Sequence, residues 1–407
     1  MRCSRAGSLL LLVAASALRA RAIGAQLPRR AVTRADAIES ALARGLTVRA
    51  ARADTLVASG QMLAARAFAN PALTASYTKS TPQYHAELEL PLPSPWLRRA
   101  RVGAASWAVT AARLRFDLAR ADAALDADTS YTLAIAAAAR ASLSAHTAAD
   151  ADTLLRMAIA RRNAGDASDL DVELARVNAG QQANAAAGDS LVLQSALLDL
   201  QLAMGLDADS VVAMTTDSLT TPPPLSTGGG EPLAVSAAVA GLRSATSGLS
   251  AERRAAWAAP SLIAGIETHD PTGAEPGILP VIGIGLPLPF FDRNRGAVAI
   301  ASAERERAAA ELALARLEGR TRIAQAEREL AAARARVERG RALVESANRV
   351  AAMSLTAYRE GASTLPNVLE AQRNARDILA RQIDDLARAW IASATLRTLT
   401  LTAAPLR

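Results

Sequence analysis

The sequence predicts a mostly α-helical protein with a small β part, built as a duplicated unit of long antiparallel helices and a β-hairpin. The tetrapeptide LPLP stands at 90–93 and again at 286–289, and proline marks element boundaries. No proline occurs from about 98 to 161 or from about 296 to 358, so each stretch can form one continuous helix. Short runs that alternate with period two precede each LPLP, as in strands with two different faces.

The N-terminal segment 1–25 has the pattern of a secretory signal peptide. Arg2 and Arg5 precede the apolar run SLLLLVAASAL, and small residues follow up to Ala25. A buried N-terminal helix is the alternative, but the order of basic, apolar and small residues favours a signal peptide. The single cysteine, Cys3, lies within it, so the mature chain would have neither a disulfide nor a thiol nucleophile.

The composition favours long helices and argues against nucleic-acid binding. The 407 residues are 51% hydrophobic but only 3% aromatic, which suits helices packed closely through small side chains. Removal of the signal peptide takes away four arginines and no acid, which lowers the net charge from +7 to +3. The remaining arginines are interleaved with acids, as in AERERAAAELALARLEGR at 303–320, and this is typical of a solvated helix face.

The chain is predicted to repeat one unit. After LPLP, Gly165 matches Gly361 at the LPLP separation of 196 residues, whereas before LPLP Pro71 matches Pro260 at 189. The seven extra residues of the second copy fall near THDPTGAEPG (268–277), which has turn chemistry. Three segments follow from this duplication: a first repeat at 26–219, a linker at 220–232 and a second repeat at 233–407.

Each repeat contains a predicted β-hairpin, at about 72–92 in the first repeat and at about 261–288 in the second. In both hairpins the residues alternate between two faces, as expected where the faces meet different environments. One face carries large aliphatic side chains, namely Leu88, Leu90, Ile284 and Leu286. The other face carries Glu87 and Glu89 in the first repeat, and Gly283 and Gly285 in the second.

A long helix follows each hairpin and reverses at a glycine. Ser94 in the first repeat and Asp292 in the second are predicted to cap the helix starts. The helices run to turns near Gly165 and Gly361, and returning helices extend to about 204 and 400. Because the returning helices cover little more than half of each long helix, two earlier helical segments are expected to cover the rest: 33–68 and 232–258.

The hairpin strands have the length and patterning of membrane-spanning β-strands. Strands of about nine residues can cross a bilayer when tilted, but the open edges of a four-stranded sheet are not tolerated in lipid. Closed barrels need at least about eight strands, so identical chains must combine, with eight strands in a dimer and twelve in a trimer. Large aromatic residues flank the hairpins at one end, as at a membrane interface: Phe68, Trp96, Trp257, Phe290 and Phe291. Scattered aromatic residues that simply pack in the interior are the alternative.

The sequence resembles TolC-type outer membrane efflux proteins, especially the branch paired with heavy-metal (cobalt–zinc–cadmium) resistance pumps. The residues that carry the resemblance are GLPLPFFDRNRG (285–296) and YREGASTLPNVLEAQR (358–373), together with the internal duplication. The resemblance implies a homotrimer with a 12-stranded transmembrane barrel in the cell outer membrane. It also implies an α-helical tunnel that extends through the periplasm to an adaptor protein and an inner-membrane pump.

The resemblance also implies roles for residues around the glycine turns. These turns, with Tyr358 and Ser363, would form the periplasmic tips, where the adaptor docks and the tunnel narrows. Family members place acids just after the turns, and the matching residues are Asp171, Asn367 and Glu370. Asn367 stands where family members have an acid. Ser363 stands where some members have an arginine that helps to hold the tunnel entrance closed. A solvated helix face remains the alternative for the acids, since a helix start alone favours them.

The sequence predicts neither an enzyme nor a cofactor or metal site. His85, His146 and His269 have no histidine or cysteine at metal-ligand spacing, and no phosphate loop, HExxH or Gly-x-Ser-x-Gly motif occurs. We therefore expect a passive conduit, powered by its partners, that exports metal ions or small toxic compounds. The alternatives are a type I protein-secretion conduit, a non-pore periplasmic coiled-coil adaptor or scaffold, and an exported helical enzyme.

Overall fold

The computed structural model describes residues 30–92, 95–207, 212–214, 218–225, 230–255, 260–273, 277–286 and 288–402. The predicted signal peptide at 1–25, Ser94 and Trp257 lie outside the described residues. In chain order the elements are β1 (Arg30–Val32), α1 (Arg34–Arg44), α2 (Leu46–Arg66), β2 (Ala72–Tyr77), β3 (Tyr84–Pro91), α3 (Pro95–Asn163), α4 (Asp169–Ala203), β4 (Val212–Met214), α5 (Leu233–Ala255), β5 (Ser261–Thr268), β6 (Ile278–Gly285), α6 (Arg295–Arg359) and α7 (Leu365–Leu399).

Two very long helices dominate the molecule. The helix α3 has 69 residues and α6 has 65, so each spans about 100 Å at a rise of about 1.5 Å per residue. The returning helices α4 and α7 have 35 residues each and cover the half of the long helices next to the glycine turns. The helices α2 and α5 cover the half next to the sheet. The prediction of a mostly helical protein with a duplicated unit of long helices and a hairpin is confirmed.

The helices form a single layer of four rods. In this layer α3 packs against α4 and α2 on one side and against α7 and α5 on the other, and α6 packs against α7 and α5. The order across the layer is therefore the α4/α2 rod, α3, the α7/α5 rod and α6. Two rods are central, and two form the edges of the layer. Most buried residues of α3 are alanines, which allow neighbouring helix axes to approach closely.

Several clusters of buried side chains hold the rods together, and two of them lie at heights that matter for function. The equatorial core lies near the middle of the rods and contains Val32, Ala37, Tyr131, Ala134, Ile135, Leu200 and Met204. The tip core lies next to the glycine turns and contains Leu154, Ala158, Val172, Ala175, Tyr358, Leu365 and Val368. The tip core draws residues from both repeats, so it joins the two helical hairpins.

The four hairpin strands form one antiparallel sheet in the order β2-β3-β5-β6. The two hairpins join through β3 and β5, where Leu88 pairs with Ala264 and Leu90 pairs with Leu262. Within the hairpins, Leu73 pairs with Leu88 and Ile284 pairs with Leu262. The outer strands β2 and β6 are the two edges of this sheet.

Two features of the first repeat differ from the sequence expectation. The helical segment predicted at 33–68 is broken at Gly45, where a Cβ atom would lie 2.4 Å from the carbonyl oxygen of Ala41. The short parallel pair of β1 and β4 was not predicted, because three-residue strands give no periodic signal. This pair brings the start of the described chain to the equatorial core, where Val32 is buried.

The predicted helix cap at Asp292 is wrong. Asn294 is the N-cap of α6 and has a left-handed backbone with φ of 59°. The Asp292 carboxylate instead accepts a hydrogen bond from the backbone N–H of Asn294 at 2.8 Å. The Asn294 amide donates to the backbone carbonyl and the side chain of Glu252, both at 2.9 Å, and so ties the start of α6 to α5.

Candidate functional site

One face of the sheet is a continuous apolar surface exposed to solvent in the isolated chain. Strand pairing places large aliphatic and aromatic side chains in rows across all four strands. The apolar face comprises Leu73, Ala75, Tyr77, Tyr84, Ala86, Leu88, Leu90, Leu262, Ala264, Ile266, Ile278, Pro280, Ile282 and Ile284. Ile282 is 82% exposed and Ile284 75% exposed, and Leu286 is also exposed, just beyond β6. Burial of each such side chain contributes about 1.5–3 kcal/mol, so this face is suited to an apolar environment.

The opposite face of the sheet is mixed: it carries acids and glycines together with the aliphatic residues Ile263, Leu279 and Val281. Glu87 and Glu89 lie on this face, and Glu87 pairs across the ladder with Gly265. A Cβ atom on Gly265 would lie 3.1 Å from Cγ of Glu87 and 2.8 Å from the carbonyl oxygen of Ala86, so the glycine leaves room for the glutamate. The strand register separates the predicted aliphatic residues from Glu87, Glu89, Gly283 and Gly285, but the second face is only partly acidic or glycine-rich.

A histidine links the two hairpins on this face. Nδ1 of His85 lies 3.2 Å from Oε1 of Glu267, on the neighbouring strand. Nε2 of the same ring lies 3.2 Å from the hydroxyl oxygen of Thr78, at the start of the turn between β2 and β3. These contacts stabilise the ends of the strands that lie farthest from the helices.

Aromatic side chains mark both ends of the sheet. At the helix end, Phe68, Trp96, Phe290 and Phe291 are exposed, and the Arg98 guanidinium lies 5.0 Å from the centre of the Phe68 ring. At the loop end, the rings of Tyr77 and Tyr84 are 5.3 Å apart, and those of Tyr84 and His269 are 5.5 Å apart. This second group was missed in the sequence, although Tyr77 and Tyr84 flank the predicted turn.

At the far end of the rods, the two repeats turn with the same backbone geometry. Gly165 has a φ of 87° and Gly361 a φ of 78°, the left-handed conformation that glycine adopts without strain. In the first repeat the backbone N–H of Asp166 donates to the carbonyl of Arg161 at 2.8 Å; the equivalent N–H of Ala362 donates to Ala357 at 2.8 Å. These are the hydrogen bonds of a glycine-terminated helix.

A side-chain contact between the repeats lies beside these turns. The Arg161 guanidinium donates to the backbone carbonyl of Tyr358 at 2.7 Å and lies 4.8 Å from the centre of the Tyr358 ring. The Tyr358 ring is buried in the tip core, and Ser363 is half-buried nearby in sequence. Arg161 was not predicted, because its role depends on the packing of α3 against the second repeat.

The predicted tip acids have different surroundings. Asp171 forms a capping box with Ser168: its carboxylate accepts from the backbone N–H of Ser168 at 3.1 Å, and its own N–H donates to the Ser168 hydroxyl at 3.2 Å. Because this capping box stabilises the start of α4, helix capping alone accounts for an acid at position 171. Asn367 and Glu370 are exposed, and Glu370 accepts from the Asn374 amide at 3.2 Å.

Within the ranges that the structure describes, no helix combines the length and the apolar character needed to cross a membrane. The same ranges contain no group of three or more His, Cys, Asp or Glu side chains placed to hold a metal ion.

Comparison with known proteins agrees with this architecture. Residues 279–400, from β6 to the end of α7, match the family model described as "Outer membrane efflux protein". A search of curated protein sequences gives no significant match.

Solved structures match over nearly the whole chain. The chain is similar to a membrane protein from Pseudomonas aeruginosa, with a TM-score of 0.75 and 21% identity over 90% of this chain and 93% of that one. It is similar to the outer membrane protein VceC of Vibrio cholerae, with a TM-score of 0.73 and 19% identity over 90% and 96%. It is similar to the outer membrane channel CmeC of Campylobacter jejuni, with a TM-score of 0.76 and 13% identity over 93% and 90%. The chain therefore has the fold of the solved outer-membrane channels, and most of its second repeat matches the outer membrane efflux protein family.

Proposed function

We propose that this protein is the outer-membrane channel of a tripartite efflux system, a passive conduit formed by three copies of the chain. The observation that carries the proposal is the four-stranded sheet, which exposes one apolar face and two open edges at the end of a layer of rods about 100 Å long. The fold shared with solved outer-membrane channels supports it.

In this proposal the sheet is one third of a 12-stranded barrel. The strands β3, β5 and β6 have eight residues each and are about 26 Å long, which fits the apolar band of a membrane barrel, and β2 has six residues. Leu88, Leu90, Ile284 and Leu286 face lipid, and Glu87 and Glu89 face the lumen. The aromatic residues at the two ends of the sheet then lie at the two membrane interfaces.

The rods continue the barrel as a tunnel through the periplasm. The turns at Gly165 and Gly361, with Tyr358 and Ser363, are the end that meets the adaptor protein and the inner-membrane pump. Asp171, Asn367 and Glu370 line the entrance in this assignment. The cargo is metal ions or small toxic compounds, and the likeness of 285–296 and 358–373 to the heavy-metal branch supports metal ions.

The single lysine of the sequence permits a direct test of orientation. Lys79 lies exposed in the turn between β2 and β3, and the other 45 basic residues are arginines. A membrane-impermeant amine reagent applied to intact cells should label Lys79, as read by peptide mass spectrometry. In a variant that combines Lys79→Arg with Arg156→Lys near the tip, the new lysine should be labelled only after the outer membrane is permeabilised.

The same cells test the assembly and the transport activity. We expect outer-membrane fractions to contain a heat-dissociable trimer, and deletion of the gene to sensitise cells to the cargo. Labelling of the introduced lysine in intact cells, or a soluble monomer as the only species, would contradict the proposal.

A further inference from the structure

The exposed large hydrophobic residues of the helical layer are concentrated on its two edges. On the α4/α2 edge they include Leu46, Leu56, Val57, Leu63, Leu170, Leu174, Val177, Leu191, Val192, Leu198 and Leu202. On the α6 edge they include Ile300, Leu314, Leu317, Leu343, Val350 and Met353. Within the described parts of the central α3 and of α5 and α7, apart from Trp96 beside the sheet, Leu133 is the one residue of this kind. Both unpartnered edges of the layer thus expose large apolar side chains, which on α6 are interspersed with charged ones.

The height of a residue along its rod can be expressed as the number of helical turns between that residue and the glycine of the turn in its repeat, Gly165 or Gly361. Contacts within the chain show that this measure is consistent between neighbouring rods. Ser144 on α3 donates to Asp189 on α4, and both lie about six to seven turns from Gly165. Arg336 on α6 contacts Asp385 on α7 at 2.9 Å, and both lie about seven turns from Gly361. Side chains that meet across neighbouring rods thus lie nearly the same number of turns from the glycine.

By this measure a protruding pair of leucines and a shallow groove lie at the same height on opposite edges. Leu202 of α4, 78% exposed, lies about ten turns from Gly165, and Ala324 of α6 lies about ten turns from Gly361. Leu198 and Leu202 lie two residues to either side of the buried Leu200, so helical periodicity directs them away from α3. The small side chains Thr321 and Ala324 line a groove on α6 that Arg320, Gln325, Arg328 and Glu329 border.

Two residues of opposite charge lie beside these features: Asp199 lies next to the leucines, and Arg328 lies next to the groove. Asp199 lies about nine turns from Gly165 and Arg328 about nine turns from Gly361, and both side chains are exposed. Neither has an ion-pair partner among the residues that the structure describes. A rotation about the long axis of a ring keeps heights unchanged, so it brings Asp199 of one copy level with Arg328 of the next.

We propose that the groove on α6 is the docking site for Leu198 and Leu202 of a second copy of this chain, and that an Asp199–Arg328 ion pair between copies fixes the register. The inference rests on the proposed ring of identical chains and specifies its head-to-tail contact. Such a heterologous contact can close into a ring, because each copy offers one leucine edge and one groove edge.

Paired cysteines test the contact, because the only native cysteine is Cys3, in the predicted signal peptide. The test uses the full-length double variant Leu202→Cys/Ala324→Cys, oxidised in outer-membrane vesicles. This variant should give covalent dimers and trimers on non-reducing SDS gels. In the control pair Leu202→Cys/Leu343→Cys the two sites differ in height by about five turns, about 28 Å, and this pair should give none. Cross-linking by Leu202→Cys alone would indicate a face-to-face contact and overturn the proposal.

Charge reversal tests the register without cysteines. Asp199→Arg or Arg328→Asp alone should lower the fraction of SDS-resistant trimer several-fold, and the combined swap should restore it. Arg305→Asp, at another exposed site on α6, is the control and should leave the trimer unchanged. If wild-type trimers form but neither the cross-link nor the swap behaves as expected, the inference fails while the channel proposal stands. If no oligomer forms and Lys79 is not labelled on cells, the channel proposal itself fails.

Discussion

The two long helices α3 and α6 come from the same duplicated unit but have different neighbours. The helix α3 is central, and sixteen of its described residues are buried, most of them alanines. The helix α6 forms an edge and has seven buried residues among those described, and its sequence contains thirteen arginines and eight glutamates. Because the two repeats lie side by side, the long helix of the first repeat is interior and that of the second is an edge. The buried alanines of α3 and the exposed charged residues of α6 match these positions.

The two hairpins differ in a complementary way. Glu87 and Glu89 of the first repeat correspond to Gly283 and Gly285 of the second at the separation of 196 residues. A Cβ atom on Gly285 would lie 2.4 Å from the Ser261 hydroxyl oxygen, so a larger residue does not fit without movement. At these two pairs of positions the first repeat supplies carboxylates to this face of the sheet, and the second repeat supplies space.

The largest expected effect tests the difference between the central rod and the edge rod. Tyr131 of α3 is 0% exposed in the equatorial core, whereas Glu327, its equivalent in α6, is exposed. Tyr131→Ala should destabilise the protein by about 3–5 kcal/mol, because it leaves a cavity. Glu327→Ala should change stability by less than about 0.5 kcal/mol. Thermal unfolding of the purified protein, followed by circular dichroism, measures both; equal effects would contradict the distinction.

The next prediction concerns α1, whose counterpart in the second repeat is replaced by the Pro- and Gly-rich linker. Arg34 pairs with Asp128, donates to the Thr132 hydroxyl at 3.0 Å and lies 4.3 Å from the Trp390 ring centre. The Asp128 side chain is 6% exposed, so Arg34→Ala leaves a buried carboxylate without its cation. We expect a loss of about 2–3 kcal/mol, below the usual cost of breaking a buried pair because Arg34 is partly exposed.

A second substitution separates lost charge pairing from lost packing. Addition of Asp128→Asn to Arg34→Ala should recover much of the stability, because the uncompensated charge is removed. Arg44→Ala, at the exposed end of α1, is the control and should have little effect. A double variant no more stable than Arg34→Ala alone would show that packing on Trp390 dominates.

Local signals in the sequence predict most of the architecture. The positions of the prolines predict where the long helices begin, and the glycines predict the tip turns. The period-two alternation predicts the two faces of the sheet. These features depend on neighbouring residues and on the duplication, so no knowledge of tertiary packing is needed.

The unpredicted features depend on which rods become neighbours. The contact of Arg161 with Tyr358 joins residues 197 apart, and that of Arg34 with Asp128 joins residues 94 apart. The order of rods in the layer determines these contacts, and nothing in the local pattern determines that order. The break at Gly45 was missed because one glycine inside an otherwise helical segment does not distinguish a break from a tolerated residue.

The two tips provide a matched test of helix capping. In the first repeat Ser168 and Asp171 form both hydrogen bonds of a capping box, whereas their equivalents, Thr364 and Asn367, lack a side-chain cap. Ser168→Ala should cost about 1 kcal/mol, and Thr364→Ala only a few tenths of that at most. Faster amide hydrogen exchange in the first turn of α4, but not of α7, would be the expected result. Equal acceleration in both helices would contradict the difference in capping.

The smallest expected effect concerns Asp122 on α3. Partial burial, and then the neighbouring charge of Asp126, raise the pKa of Asp122 above its usual value of 3.8, although Arg322 acts in the opposite direction. Because the folded protein binds this proton more tightly than the unfolded chain, stability falls as the pH rises through this range. Asp122→Asn should therefore raise the unfolding midpoint at pH 7, by about 1 °C or less because the group is well solvated. The gain should vanish at acidic pH, where the native carboxyl is protonated. Asp117→Asn on the same helix controls for the loss of one negative charge. If the unfolding midpoints of the two variants depended on pH in the same way, the raised pKa of Asp122 would be contradicted.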